Sequence, residues 1–495
     1  MATATFHHGV RFRELETAIR AIVTAESAIS FVVGSAPVWK VPGGTENVNK
    51  VIMCYNLAEA RAALGEHDNW NIYTLMEFVQ SAFVNFSSQV APVFFVNVSD
   101  PNQGAVAVPP ADFPVTNHRV TLPGVNVIFD SVAITYQDDE GEDQSPHYGT
   151  DYTMAYNAEG GLVITLLAGG ELAQAATINV GFKRAVPARP TPAQIIGTYD
   201  PIEDKYTGLA LIDTVFGKYR VNPNFICTPS FSAVPEVTAA VTAASYAIND
   251  VFTGKALIDA DTSIVKAYRA VPDYKNQGYF NDPRQNFFWP MIRLGNQTYH
   301  PSTVWACLAM HVDATNGGIP FESPSNKVIP ADGACLIDGT PVDLTLRGAN
   351  YLNSQGVMTV LNFIGGWRMW GDWSAGFPGT TDPKDMWSSV KRMMDFVGNT
   401  TILTTWQFVG KPILRRLVEQ ITDTLQGWLN HLVVRNALLF GNIQFPRSLN
   451  PDIELIAGHI TFKVNITPPT PAVDIEFLLS YDLAGLQTLF LGEAA

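Results

Sequence analysis

Residues 51–65, VIMCYNLAEARAALG, read as a strand, a cap, a helix and a stop. Val51–Tyr55 are β-formers. Asn56 is placed to cap the helix Leu57–Leu64, which Gly65 ends. Upstream, SAISFVVGSAPVW (27–39) predicts a buried strand ended by Gly34 and Pro37. Downstream, a helix over Tyr73–Phe86 puts Leu75, Phe78, Val79, Ala82 and Phe83 on one stripe. PVFFVNV (92–98) is a run of β-formers expected inside a sheet. The alternation resumes after the Pro-rich stretch PARPTPAQ (187–194). Helices are expected at Tyr206–Lys218, Glu236–Phe252 and Thr303–Val312, and strands at Pro223–Cys227, Ala256–Asp259 and Phe287–Ile292. This is the pattern of a doubly wound α/β sheet.

Two regions break the pattern. Between about 112 and 190 helical periods vanish, and Val125–Tyr136, Tyr152–Tyr156, Leu162–Leu167 and Thr177–Arg184 predict a small β-sandwich inserted into the α/β part. Its loop DDEGED (138–143) carries five acids without the alternate ligands and closing Glu of a calcium loop, and reads as a solvated hairpin loop. From about 345, GVMTVLNFIGGWRMWGDW (356–373) reads as a strand, a Gly-Gly turn and an aromatic cluster. Helices follow at Pro383–Asp395 and Ile413–Leu439, then strands at His459–Thr467 and Ala472–Tyr481 around PPTP (468–471). Residues 1–20 and the last fourteen, DLAGLQTLFLGEAA, belong to no local core and read as arms.

Composition sets the outer bounds. With 47% hydrophobic and only 16% charged residues over 495, disorder is excluded for most of the chain. A net charge of −15 argues against coating nucleic acid, which needs a basic footprint. So few charges at a mean hydropathy of +0.08 fit either several large cores or a subunit that buries its surface against copies of itself. Cys54, Cys227, Cys307 and Cys335 lie far apart without CxxC spacing and are expected as reduced, buried thiols. Phe78–Ser99 is uncharged, but Asn85, Ser87, Ser88, Gln89, Pro92 and Asn97 rule it out as a membrane span. The N-terminus has no apolar run, so the protein is expected to fold in a cytoplasm without a membrane anchor.

Catalytic patterns are missing. There is no GxSxG, Walker A or HExxH. Lys255 follows Gly254, but Ala256 stands where a phosphate loop needs Ser or Thr. His7 and His8 have no third ligand at matching spacing. His300 and His311 read as a turn residue and a satisfied core histidine. Trp367, Trp370 and Trp373 read as packing, and Cys227–Ser230 as a loop at a strand end, where α/β enzymes place ligands but where no base stands beside Ser230.

The order of parts resembles contractile-phage tail sheath proteins. FHHGVRFRELE (6–16), TAIRAIVTAESAISFVVGSAP (17–37), YNLAEARAALGE (55–66) and YTLMEFVQSAF (73–83) carry the likeness at the start. NFFWPMIRL (286–294), IPFESPSNKVI (319–329), RGANYLNSQGVMTVLNFIGGWRMWG (347–371) and GHITFKVNITPPTPAVDIEFLLSYD (458–482) continue it. The family also includes sheaths of contractile bacteriocins and injection systems. The resemblance implies an α/β multidomain chain that is not an enzyme and needs no cofactor or metal. Its parts would be an N-terminal arm (1–20), a subtilisin-like but non-catalytic α/β domain (21–111 and 191–345) and an outward-facing β-sandwich (112–190). An α+β C-terminal domain (346–480), completed by N-terminal residues and next to the tube, and a C-terminal arm (481–495) would follow. Low charge then fits a buried assembly surface.

The implied function is a virion structural subunit, assembled in the host cytoplasm. It would stack as six-fold rings around an inner tail tube and contract from a metastable extended state to drive the tube through the host envelope. Implied partners are copies of itself, the inner tail tube protein, and baseplate and tail terminator proteins, with no direct nucleic acid and no membrane insertion. Val10, Phe12, Leu15, Leu486, Leu489 and Leu491 would form arm strands between subunits. Residues 391–447 carry seven basic and three acidic side chains, and the resemblance places them against the tube. Lys411, Arg415 and Arg416 are the candidates for tube contact: a helix from 413 would put 411 and 415 on one face and Leu414, Leu417 and Ile421 on the buried one. The alternatives are a genome-free injector or bacteriocin sheath and, from another class, a subtilisin-like hydrolase, for which the Ser/His/Asp set is missing.

Overall fold

The computed structural model describes residues 22–86, 92–137, 143–278 and 280–490. The capped unit forms as read: Asn56 Oδ1 accepts from the Glu59 N–H at 2.9 Å, Glu59 Oε2 accepts from the Tyr55 N–H at 2.8 Å, and Gly65 turns the chain at φ 79°. A six-stranded sheet is built from β1 (Ser30–Gly34), β2 (Val51–Cys54), β3 (Val93–Asn97), β4 (Phe225–Cys227), β5 (Lys255–Asp259) and β6 (Gln285–Phe288). Their order is β6-β5-β4-β1-β3-β2, with only the edge strand β2 antiparallel.

Alternate residues of these strands feed two separate cores. Val32, Phe95, Phe225, Leu257 and Phe288 pack on one side under Leu75–Gln80 (α1) and Pro301–Thr315 (α2). Phe31, Val33, Phe94, Ile226 and Ile258 pack on the other under Ile212–Tyr219 and Pro235–Tyr246. Helices on both faces explain why the strands read as unbroken apolar runs. The four cysteines are free and buried.

A third core lies in the β-rich segment. One antiparallel sheet joins Val106–Pro114, Thr177–Arg184, Ala133–Gln137 and Asp143–Gln144, and a second joins Arg119–Thr121, Leu162–Leu166 and Tyr152–Tyr156. Val120, Ile164, Val180 and Phe182 are buried between them. The strand Val106–Pro114 crosses the boundary set at 112. It was hidden by Pro109, Pro110 and Pro114, which an edge strand tolerates because one of its sides needs no N–H. Val125–Tyr136 is not one strand: Val127 makes a single bridge to Arg184, Phe129–Ser131 makes a 3-10 turn, and Ala133–Gln137 forms the strand in the ladder. Of the acidic loop, 138–142 lie outside the described residues.

The C-terminal part has two helices, α3 (Ser388–Thr405) and α4 (Arg415–Val434), and a two-stranded sheet, β7 (Phe440–Gln444) with β8 (Lys463–Thr467). Met393, Phe396, Leu417, Ile421, Leu425 and Trp428 form its core. The expected helix Pro383–Asp395 is broken at Trp387, which is extended and lays its ring on Trp373 at 4.9 Å. Phe287–Ile292 is likewise two strands, parted by Pro290, which has no N–H to give a ladder. No strand forms over 472–481, which is exposed.

Helix α3 is fixed to the α/β layer by buried polar contacts. Arg392 pairs with Asp313, and Arg284 Nη1 with Asp395 at 3.0 Å. Asn399 exchanges two hydrogen bonds with the Thr253 backbone at 3.0 and 3.2 Å.

Candidate assembly surfaces

Two regions bear on chemistry or contact: the carboxyl edge of the main sheet and the surface of the C-terminal part. At the carboxyl end of β5 lies a cavity of ≈ 630 Å³, lined by Arg189, Ser232, Asp259, Asp261 and His300 among others. This is where an open α/β sheet binds ligands. Asp259 is buried and accepts from Ser232 Oγ at 3.0 Å, from the Ser302 N–H at 2.9 Å and from Ser302 Oγ. Both hydroxyls therefore give their protons to a carboxylate, and no imidazole takes them as in a hydrolase. His300 is engaged elsewhere: its Nδ1 lies 2.7 Å from Glu77 Oε2. Burial alone would lower its pKa, but the Glu77 carboxylate overrides this and carries it to about 9, so the ring is a fixed cation. It starts α2 rather than serving as a base.

His311 is half-buried beside Phe86, and its Nδ1 has no partner among the described residues, contrary to the satisfied core histidine expected. Burial raises the Cys227 thiol well above its usual range, which keeps it unreactive. Among the described residues no three His, Cys, Asp or Glu side chains converge as metal ligands, and no helix is long and apolar enough to cross a membrane. His7 and His8 lie outside the described residues.

The C-terminal surface is different. Helix α4 starts at Arg415, not at 413, because Gly410 turns at φ 79° and Pro412 follows. Lys411 therefore lies in the preceding loop, with its Nζ over the Phe408 ring at 4.9 Å. It shares no helical face with Arg415. Leu414 is the N-cap and 59% exposed, whereas Leu417 and Ile421 are buried as expected. Arg415 Nε is taken by Glu419 at 2.7 Å, while Arg416 is exposed. Of the other bases in 391–447, Lys391 pairs with Asp385, Arg392 is buried on Asp313, Arg447 pairs with Asp452, and Arg435 reaches the Asn316 carbonyl. Sequence counting could not see these partners.

Beside this face, the β7–β8 sheet has no further strand among the described residues. A cavity of ≈ 510 Å³ opens between the sheet and α4, lined by Phe408, Ile413, Leu417, Ile460, Phe462 and Val464 among others. The chain enters near it: Ile22 packs on the C-terminal core, and the Ala25 N–H donates to Thr400 Oγ1 at 3.0 Å. The tail leaves with Ile475, Phe477, Leu478, Leu479 and Tyr481 each at least 68% exposed. Leu483–Phe490 forms 3-10 turns in this single chain, with Leu486 and Leu489 exposed. Val10, Phe12, Leu15 and Leu491 lie outside the described residues.

Among the described residues, the α/β layer carries a two-stranded sheet and an exposed apolar tail, features suited to contact with other chains. Comparison with known proteins agrees. The chain is 23% identical over 482 residues to the tail sheath protein of Burkholderia phage BcepMu, covering 94% of this chain and 95% of that one. It is 24% identical over 287 residues to the tail sheath protein of Escherichia phage P2, covering 57% and 68%. Its fold matches the sheath of an extracellular contractile injection system, PVC, in the contracted state, at a TM-score of 0.58 and 12% identity over 98% of this chain and 99% of that one. No family model matches. The chain is thus similar to contractile tail sheath proteins over nearly its whole length.

Proposed function

We propose that the chain polymerises as stacked six-fold rings around an inner tail tube, and shortens from a metastable extended state to drive that tube through a host envelope. The observation that carries this reading is the exposed tail beside an unextended two-stranded sheet, in a chain similar to sheath proteins from end to end. Arms from neighbouring subunits add strands to β7–β8, so main-chain hydrogen bonds couple the rings. Residues 1–20 and 481–495 are those arms. The β-rich segment faces outward, and the α/β layer, with helices on both faces of its sheet, is a non-catalytic relative of the subtilisin fold. The energy of contraction is stored in the assembly, without nucleotide hydrolysis. Further partners are baseplate and terminator proteins, and the assembled product is a virion tail. A genome-free injector sheath is the second reading, favoured by the fold match to PVC.

Purified protein is expected to form hollow tubes under the electron microscope. A monomer that persists at high concentration without tubes would overturn the proposal.

The tube-facing edge is the start of α4. Arg415 and Arg416 stand at the positive end of the helix dipole, where basic residues are locally unfavourable. An acidic surface on the tube offsets that cost, with Lys411 flanking it. Reversing Lys411, Arg415 and Arg416 to Glu is expected to leave empty-tube polymerisation intact and to stop extended sheath assembling on the inner tube. Each exposed pair is worth only about 0.2–1 kcal/mol, but the pairs repeat around every ring. Extended tails that form normally from this variant, at any salt concentration, would remove the assignment.

A further inference from the structure

The β7–β8 sheet has two outer edges, and one of them is already occupied. Along β7, Gly441 and Ile443 turn their peptide groups away from β8 and toward the side chain of Gln426 on α4. Gln426 Nε2 donates to the Gly441 carbonyl at 3.0 Å, and Gln426 Oε1 accepts from the Ile443 N–H at 3.0 Å. A carboxamide carries the same donor and acceptor as a peptide unit, so it takes the place of a neighbouring strand there. Leu429 closes the edge further: a Cβ on Gly441 would meet the Leu429 Cβ at 3.0 Å. Along β8, Val464 and Ile466 lie opposite Ile443 and Gly441. By the alternation of an antiparallel ladder their N–H and C=O groups point away from β7. Among the described residues no strand and no side chain takes them.

The open edge adjoins the ≈ 510 Å³ cavity, which Ile460, Phe462 and Val464 help to line. A strand laid on β8 would lengthen the ladder and cover that cavity. It must be apolar on the face shared with Val464 and Ile466 and polar on the face shared with Lys463 and Asn465. Residues 473–481, VDIEFLLSY, have this pattern: Val473, Ile475, Phe477, Leu479 and Tyr481 alternate with Asp474, Glu476, Leu478 and Ser480. The charges match as well. Lys463 on β8 and Asp474 and Glu476 on the tail are exposed and in no ion pair among the described residues. The chain's own tail is led elsewhere. Pro468, Pro469 and Pro471 stand between it and β8, and Val473 and Asp474 line a separate cavity with Phe363, Arg368 and Trp370 among others.

We propose that residues 473–481 of a second copy pair with the β8 edge along Val464 and Ile466, while Gln426 bars the β7 edge to them. The pairing rests on the strand exchange proposed above and assigns its edge and its segment.

The test is the binding of a fluorescent peptide of residues 472–482 to dilute full-length protein, read by anisotropy. Val464→Pro removes an N–H that the subunit's own ladder does not use, so this variant is expected to keep the urea midpoint of the unaltered protein. Its affinity for the peptide is expected to fall at least about tenfold, because a main-chain hydrogen bond is lost and the ring crowds the incoming strand. Gln426→Ala, which would tighten binding if the β7 edge were used, is expected to leave the affinity unchanged. Should Val464→Pro fail to fold, residue-resolved hydrogen exchange of the unaltered protein decides. Saturating peptide is expected to slow the Val464 and Ile466 amides at least about tenfold and to leave Ile443 as it was. An unbound peptide, binding untouched by Val464→Pro, binding tightened by Gln426→Ala, or new protection at Ile443 in place of Val464 would overturn the proposal. None of these readings needs tubes. A protein that binds the peptide on β8 and yet never forms tubes would sink the assembly reading and leave this pairing standing.

Discussion

A chain ending at Pro471 is expected to unfold at the same urea concentration as the full-length protein and yet to build no sheath. The fold has little stake in the described part of the removed segment: Phe477, Leu478 and Leu479 are 83%, 87% and 97% exposed, and the C-terminal core ends with Ile466. Assembly has a large stake. A strand added to β7–β8 contributes several main-chain hydrogen bonds of about 0.5–1.5 kcal/mol each, besides the burial of its apolar side chains. Repeated at every subunit of the proposed assembly, their loss would leave rings uncoupled. Urea titration gives the first half of this result, and sedimentation with negative-stain microscopy the second. Normal tubes from the truncated chain would show that this arm exchanges no strand.

The largest effect on the subunit itself is expected from Asp313→Ala. Asp313 is the carboxylate that Arg392 holds in the interior, and it also accepts from Ser27 Oγ at 2.9 Å. Removing it strands a guanidinium that is 4% exposed, at a cost of about 3–5 kcal/mol. Replacing both members, Asp313→Leu with Arg392→Met, should recover most of the loss, because a packed apolar pair needs no counter-charge. Urea midpoints of the two variants check this. A single-variant loss under about 1 kcal/mol would mean that water reaches Arg392.

How far the sequence was legible depended on the range of the interaction. Leu57–Leu64 came out residue for residue because its cap and its stop are neighbours in the chain. Tyr152–Tyr156 and Thr177–Arg184 were equally plain, since alternation and flanking turns mark them locally. Val106–Pro114 was invisible because its prolines are tolerated only at an edge, and edges are tertiary facts. The same holds for charge. Arg392 and Asp313 are 79 positions apart, so a basic residue counted toward an exposed surface is in the core. In the candidate contact region, Arg416 is exposed where the sequence put it, but Lys411 and Arg415 part company two residues before the helix was expected to have begun its second turn. The arms were read as residues without a core; of their named positions only Leu486 and Leu489 fall within the described residues, and both are exposed.

The β-rich segment leaves and re-enters the α/β layer at one point, because Val106 and Arg184 face each other across the same ladder. Everything between them is, for the scaffold, a loop whose ends are already clamped together. Closing such a loop costs only about 0.6 kcal/mol more for each doubling of its length. The scaffold touches what hangs there at few places: Asp130 accepts from Gly43 and Thr45, Ile128 enters the layer's core, and Tyr156 packs on Trp39. Beyond those contacts the segment can be lengthened at little cost to the framework, and in the proposed assembly a foreign domain spliced into it would be displayed once per subunit.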